Sequence, residues 1–157
     1  MFNPSVQQKK NLRKWIKALR SGKFIQARNT LEDTRNENKS HCCLGVACRI
    51  FPEIITDERT ENHETRFTFK NGRNLAGSIP VDIFTDIFDF GTEAEVIQNE
   101  LMKYNDGTSI AWGDSNFLEI SNMLEDYLIG CEVFAEAEAD EYEGEFGDNP
   151  AGLGAND

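Results

Sequence analysis

Long apolar runs are missing from this 157-residue sequence, and their absence excludes one class of protein. No stretch approaches the roughly 20 apolar residues that a membrane-spanning helix needs. The first ten residues, MFNPSVQQKK, also lack the apolar segment and the small-residue cleavage site of a secretory signal. We therefore expect a protein that makes no membrane contact and stays in a cytoplasm, where thiols are reduced.

Charge of one sign is missing from each end of the chain. Residues 1–31 contain no acid and eight bases, which are Lys9, Lys10, Arg13, Lys14, Lys17, Arg20, Lys23 and Arg28. Residues 132–157 contain no base and nine acids, and the whole chain has a net charge of −12. Double-stranded DNA is disfavoured as a partner, because the acidic remainder would repel a polyanion. The basic segment nevertheless predicts a partner with local negative charge.

Recognisable phosphate-binding and metal-binding motifs are missing too. The sequence has no G-x-x-x-x-G-K-(S/T) and no G-x-G-x-x-G loop. Cys42, Cys43 and Cys48 stand beside His41 without the C-x-x-C spacing that aims two sulfurs at one ion. We interpret these cysteines as small apolar residues of a buried helix, in which Gly45 permits close packing. We expect no bound metal and no cofactor.

Histidine is scarce, and this limits nucleophilic catalysis. A cysteine nucleophile needs a neighbouring base and an orienting group, and only His41 and His63 offer an imidazole. Neither stands in a pattern typical of a catalytic dyad. We therefore predict no catalytic residue and interpret His41 as a residue at the start of a helix or on the surface.

What the sequence does contain is periodicity. Leu12, Trp15, Ile16 and Leu19 recur at helical spacing, so they predict an amphipathic helix with a cationic outer face that ends at Gly22. Further patterns predict a buried helix over 43–51 and a short helix within 79–90. Two more helices are predicted after these: one follows a capping box at 92–95, and the last begins at an Asn116 cap and ends at Gly130. Alternation over 65–70 followed by Asn-Gly predicts a hairpin, whereas 56–64 is predicted to be a polar loop.

These elements together indicate an α+β protein, with several short helices packed against a small antiparallel hairpin or sheet. Residues 1–131 are expected to form one globular domain. Residues 132–157 are expected to form a flexible acidic tail, because their charge density is high and their apolar residues are not periodic.

Three motifs resemble those of a known group of proteins. Trp15 and the run from Ala18 to Gln26 match W-x-x-A-L-R-S-G-x-(Y/F)-x-Q, residues 42–48 match C-C-L-G-V-x-C, and residues 101–106 match L-x-x-x-N-D. The sequence is similar in these motifs to small proteins of unassigned function that tailed bacteriophages and prophages encode. The similarity covers most of residues 12–128. It implies the cytoplasm of an infected host cell as the setting and implies no particular chemistry.

We therefore hypothesise a non-enzymatic binding protein that acts on the host, in host takeover or in anti-defence. The hypothesis gives it a basic N-terminal edge that captures a host protein or a small, nucleotide-like anion. The residues expected to bind the ligand are Arg20, Lys23, Gln26, Arg28, Asn105 and Asp106. The residues expected to contact a protein partner are Lys10, Arg13, Lys14, Lys17, Phe134, Tyr142 and Phe146.

Other functions remain open at this point. The acidic tail offers the main alternative, as a nucleic-acid mimic or docking segment that inhibits a host nucleic-acid enzyme. A small nucleotide-directed enzyme that uses Asp106 or Cys43 ranks below it, because no coherent catalytic constellation is present. A virion component is a further alternative of lower rank. The sequence leaves the oligomeric state open.

Overall fold

The computed structural model describes residues 4–35, 37–107 and 116–134, with the backbone alone described for 131–134. Short 3₁₀ turns lie at Pro52–Ile54 and Gly91–Glu93. The α-helices and strands of this part of the chain are, in order, α1 Val6–Arg20, β1 Ile25–Gln26, β2 Glu32–Asp33, β3 Ser40–His41, α2 Cys43–Ile50, β4 Ile55–Glu61, β5 Glu64–Phe69, β6 Asn74–Leu75, α3 Val81–Phe88, α4 Ala94–Asn105 and α5 Phe117–Phe134. The predicted α+β class is confirmed.

Helix α1 has well-defined ends. Ser5 caps its start: the Ser5 hydroxyl accepts a hydrogen bond from Gln8 N, and the Gln8 side chain accepts one from Ser5 N. At the other end Gly22 has a φ of +77°, the left-handed conformation that follows many helix ends. The predicted end of this helix is confirmed.

The apolar stripe of α1 is buried, as predicted, and Trp15 anchors it. The Trp15 ring stacks on Phe88 of α3 with ring centroids 4.7 Å apart. Its Nε1 donates a hydrogen bond of 2.9 Å to the Cys43 carbonyl at the start of α2. Phe84 packs edge-on against the same ring. One side chain thus joins α1 to both α2 and α3.

The sheet has the strand order β1-β3-β2-β5-β4, and β6 pairs with β5. It is larger than predicted, and it is mixed because β1 and β3 run parallel. The predicted hairpin is confirmed as β5 and β6. The polar loop predicted over 56–64 is wrong: β4 fills most of it and pairs antiparallel with β5 through a turn at Asn62 and His63, both with positive φ. β4 is an edge strand with exposed side chains, so its sequence carries no apolar alternation.

Two predictions about helix ends are wrong. The capping box expected over 92–95 is absent, since α4 follows a 3₁₀ turn and its Glu93 cap makes no side-chain hydrogen bond. The last helix does not end at Gly130 but continues to Phe134, so it crosses the expected tail boundary at 132. A single glycine costs a helix only about 1 kcal/mol, which the rest of α5 tolerates.

Helix α2 packs against the chain segment that enters β2. All residues from Cys42 to Cys48 are buried. A Cβ placed on Gly45 would lie 1.8 Å from the Leu31 carbonyl oxygen, so only glycine fits there. The interpretation of this segment as a packing element is confirmed.

Among the described helices, none is both long and apolar enough to span a bilayer.

Candidate functional site

Three lysines of α1 share one exposed face of the helix. Lys10, Lys14 and Lys17 lie at i, i+4 and i+7, within about 60° of one another around the axis, and all three are exposed. Lys14 also donates a 3.0 Å hydrogen bond from Nζ to the Ile50 carbonyl, and its ammonium lies 5.1 Å from the centre of the Phe51 ring. We call Lys10, Lys14 and Lys17 the lysine face.

Arg20, which the sequence places in the ligand site, bridges α1 and α5. Its Nε donates to Ser121 Oγ at 2.8 Å, and its Nη2 donates to Asn122 Oδ1 at 2.8 Å and to Glu125 Oε1 at 2.7 Å. Glu125 neutralises the charge of Arg20. The geometry therefore gives Arg20 a role in helix packing.

The other cations of the basic segment differ in how far they are exposed. Lys9 is buried with 4% of its surface exposed, and Arg13 is half-buried. Lys23 is exposed beyond the end of α1. The basic edge that the sequence predicts is thus unevenly exposed, and Lys10, Lys14 and Lys17 are more exposed than Lys9 and Arg13.

Gln26, a second predicted ligand residue, belongs to an internal amide network. Its Nε2 donates to the Asn105 carbonyl at 2.9 Å and to Asn116 Oδ1 at 2.5 Å, and its Oε1 accepts from Asn116 N at 2.8 Å. The Asn116 amide also donates to the Tyr104 carbonyl. Asn116 precedes α5 as predicted, but its side chain bonds to β1 and to the end of α4.

Asn105 and Asp106 complete this network. Asn105 is fully buried; its Oδ1 accepts from Cys43 N at 3.0 Å, and its Nδ2 donates to the Ala27 carbonyl at 2.9 Å. Asp106 Oδ1 accepts from Asn105 Nδ2 and from Asn29 N. The Asn-Asp pair thus holds the end of α4 against α2 and the segment after β1, and the same atoms have little capacity left for a ligand.

The structure does not join the six predicted ligand residues into one site. In the described residues, no hydrogen bond or ion pair connects Arg20, Lys23 or Arg28 to the Gln26–Asn105–Asp106 network. Arg28 has one distinctive feature: its buried Nη2 has no hydrogen-bond partner within the described part of the chain. This nitrogen can therefore still donate a hydrogen bond to an anion.

A buried ionic cluster lies elsewhere, around Glu32 of β2. Glu32 Oε1 accepts from His41 Nε2 at 2.9 Å and from Arg49 Nε at 2.8 Å. Glu32 Oε2 accepts from Thr65 Oγ1 at 2.6 Å and from Arg49 Nη2 at 2.9 Å. The second edge of the Arg49 guanidinium holds Glu58 of β4. We call these five residues the Glu32 cluster.

The hydrogen bonds of the cluster set its charges. Burial alone would raise the pKa of Glu32, but the hydrogen bonds from His41, Thr65 and Arg49 outweigh it and lower the pKa from 4.5 to about 2. The hydrogen bond from Arg49 lowers the pKa of Glu58 as well, and Glu58 in turn raises the pKa of Arg49. Glu32, Glu58 and Arg49 are therefore charged at neutral pH.

The interpretation of His41 as a surface residue is wrong, whereas its place at the start of a helix is confirmed, because the next residue, Cys42, caps α2. His41 ends β3 with only 7% of its surface exposed, and the Phe24 ring covers it edge-on. Its Nδ1 is buried without a hydrogen-bond partner in the described residues. No sequence signal pairs it with Glu32, because the two lie nine positions apart with a polar loop between them.

The Glu32 cluster borders a shallow cleft of about 340 Å³. The cleft is lined by Cys48, Arg49, Pro52, Ile55, Thr56, Asp57 and Glu58. Its one arginine is already engaged by Glu58 and by Glu32, and Asp57 adds a second acid to the lining, so the cleft does not favour an anion. The arrangement serves chiefly to tie α2 to β2, β4 and β5.

The three cysteines that the structure describes are buried and protonated. Burial raises the pKa of Cys42 to about 12 and the pKa values of Cys43 and Cys48 well above the ordinary thiol value. Within the described residues, no three His, Cys, Asp or Glu side chains are placed to hold a metal ion. Of the predicted aromatic contacts, Tyr142 and Phe146 lie outside the described residues, and Phe134 is described by its backbone only.

Comparisons with known proteins give a family and no activity. The search of curated proteins found no match, and neither did the search of solved structures. The family model "Domain of unknown function (DUF8296)" matches residues 7–128, about three quarters of the chain. This span includes α1, the Glu32 cluster, the amide network and most of α5. The chain therefore belongs to the DUF8296 family.

Proposed function

We propose that this is a non-enzymatic binding protein that acts on a host cell, and that its lysine face docks on an acidic surface of a host protein. One observation carries the proposal: Lys10, Lys14 and Lys17 are exposed on one face of a helix that contains no acid. The host setting rests on the similarity of the sequence motifs to those of phage-encoded proteins.

The shape of the lysine face favours a protein partner over a small ligand. Lys17 follows Lys10 by seven positions, so the three side chains span about 10 Å along a convex helix. A small anion needs donors that converge on one point, as in a pocket. An acidic protein surface instead offers several carboxylates at comparable spacing, and complementary charge speeds and orients the encounter.

The polar groups that the sequence offers for chemistry support a non-enzymatic function. Gln26, Asn105 and Asp106 bond to one another and to the backbone. Glu32 has its oxygens occupied by His41, Arg49 and Thr65. The three buried cysteines stay protonated. Groups that satisfy each other are typical of structural networks.

The proposal is tested with a defined acidic probe. Fluorescently labelled poly-L-glutamate is titrated with the full chain and with the variant K10Q/K14Q/K17Q at low salt. Three surface ion pairs at about 0.5 kcal/mol each predict a loss of affinity of roughly tenfold. Circular dichroism checks that the variant is folded.

A matched control removes the same charge elsewhere. Its lysines are exposed and lie off α1, in the variant K39Q/K70Q/K103Q. We expect this control to keep most of the affinity of the unchanged chain. Equal losses in the two triple variants would show that net charge alone drives binding, and the lysine face would then have no special role.

A compact oxyanion at Arg28 is a second candidate, because its buried Nη2 has no partner in the described residues. Titration with inorganic phosphate, followed by amide NMR shifts, tests it. Binding is expected to disappear in Arg28→Gln and to persist in Arg35→Gln, since Arg35 is exposed and pairs with Asp33. Shifts that are the same in both variants would exclude this site.

A further inference from the structure

Helix α5 runs back along α1. Its first turns are tied to the end of α1, where Arg20 bonds Asn122 and Glu125. Further along, Tyr127 packs against Phe90, whose ring also contacts Phe84 and Phe88, the partners of Trp15 in the middle of α1. The two helices therefore lie antiparallel.

This direction determines where α5 ends. From Asn122 to Phe134 the helix advances about 18 Å, at 1.5 Å per residue. The same distance measured back from Arg20 leads to the first two turns of α1. Helix α5 therefore ends at the level of the first two turns of α1, which contain Lys10.

The segment that begins there has the complementary charge. Residues 135–157 contain eight acids and no base. Helix α1 is about 22 Å long, so seven extended residues of the segment are enough to cover it. Its acids begin at Glu136, two residues after the last described residue.

We propose that residues 135–157 bind in cis across the lysine face and compete there with the acidic partner. The inference concerns the regulation of the proposed docking site and rests on that function. A tethered competitor acts at an effective concentration on the order of millimolar. Weakly binding acidic surfaces then fail to displace the segment from the lysine face. Only a partner whose carboxylates match the lysines better than the segment does binds there.

The test keeps the full chain and removes the tail charges. In the tail variant, the eight acids of residues 135–157 become Gln or Asn. We expect the affinity for poly-L-glutamate to rise on the order of tenfold. We also expect the backbone amide NMR signals of the lysine face to shift without any probe present, because the cis contact is lost.

The matched control neutralises eight exposed acids elsewhere, in the variant E53Q/D57N/E61Q/E64Q/D82N/E93Q/E95Q/E100Q. It changes the net charge equally, so its affinity reports the general charge effect. If the tail variant gains no more affinity than this control and leaves the amide signals of α1 unchanged, the cis contact is refuted.

Failure of the proposed function has a different signature. The substitutions K10Q/K14Q/K17Q are combined with the tail variant and titrated with the same probe. If they do not weaken binding even there, the lysine face is not the docking site. If they weaken binding and tail neutralisation has only the control effect, docking stands and the cis competition alone fails.

Discussion

Arg49 Nε lies 2.8 Å from Glu32 Oε1, and the Glu32 side chain is only 1% exposed. The pair joins the last turn of α2 to the middle of the sheet. A buried ion is tolerated only when its partner and further hydrogen bonds replace water, and His41 and Thr65 supply those bonds. The cluster thus specifies how α2 sits on the sheet.

Acid should weaken the fold through Glu32. Its pKa is about 2 in the folded protein against 4.5 ordinarily, so the unfolded chain takes up the proton first as pH falls. The stabilisation is complete above the unfolded value and is lost between about pH 5 and pH 2. It amounts to about 3 kcal/mol. Urea unfolding at stepped pH measures it.

Glu32→Gln provides the control for this pH dependence. The variant lacks the titrating group, so we expect its stability to change less over that pH range. An NMR titration of the Glu32 carboxyl carbon in the unchanged chain gives an independent reading if the variant fails to fold. A titration midpoint near pH 4.5 would contradict the conclusion that the hydrogen bonds of the cluster lower the pKa of Glu32.

Gly45→Ala should destabilise the protein strongly. The new methyl carbon would lie 1.8 Å from the Leu31 carbonyl oxygen, so α2 must move away from the chain. We expect a loss of at least about 3 kcal/mol in the free energy of unfolding, at the upper end of overpacking effects. Gly130→Ala is the matched comparison, because nothing lies within 4 Å of its added Cβ. The free energy of unfolding of Gly130→Ala should rise by up to about 1 kcal/mol. If the two variants change the free energy of unfolding by similar amounts, the close approach at Gly45 is ruled out.

Asn105→Asp should also destabilise, although the two side chains have the same shape. The aspartate would lose the hydrogen bond donated to the Ala27 carbonyl and would place a second negative charge beside Asp106. We expect a loss of about 2 kcal/mol or more by chemical denaturation. The exposed Asn38→Asp should change stability by less than about 0.5 kcal/mol. A neutral result at position 105 would remove the structural role assigned to the network.

The buried thiols should resist modification. Cys42, Cys43 and Cys48 are at most 1% exposed, and burial raises the pKa of each. In the variant Cys131→Ser, we expect Ellman's reagent at pH 8 to label none of them while the protein is folded and all three in urea. Rapid labelling of the folded protein would mean that α2 opens easily.

The sequence by itself determined the local features. Local periodicity and turn residues predict the apolar stripe around Trp15, the end of α1 at Gly22, helix α2 and the β5–β6 hairpin. The concentration of positive charge before residue 32 and of negative charge after residue 131 is likewise visible without coordinates.

Tertiary structure alone decided which polar groups meet. Gln26 bonds to Asn105 and Asn116, which lie 79 and 90 positions away, and Arg20 bonds to Glu125, 105 positions away. A sequence with 28 acids and 16 bases offers many equivalent pairings, and only the packing of helices selects among them. The same packing engaged Arg20 and Gln26 in contacts within the fold and left Lys10, Lys14 and Lys17, three of the four lysines of α1, exposed.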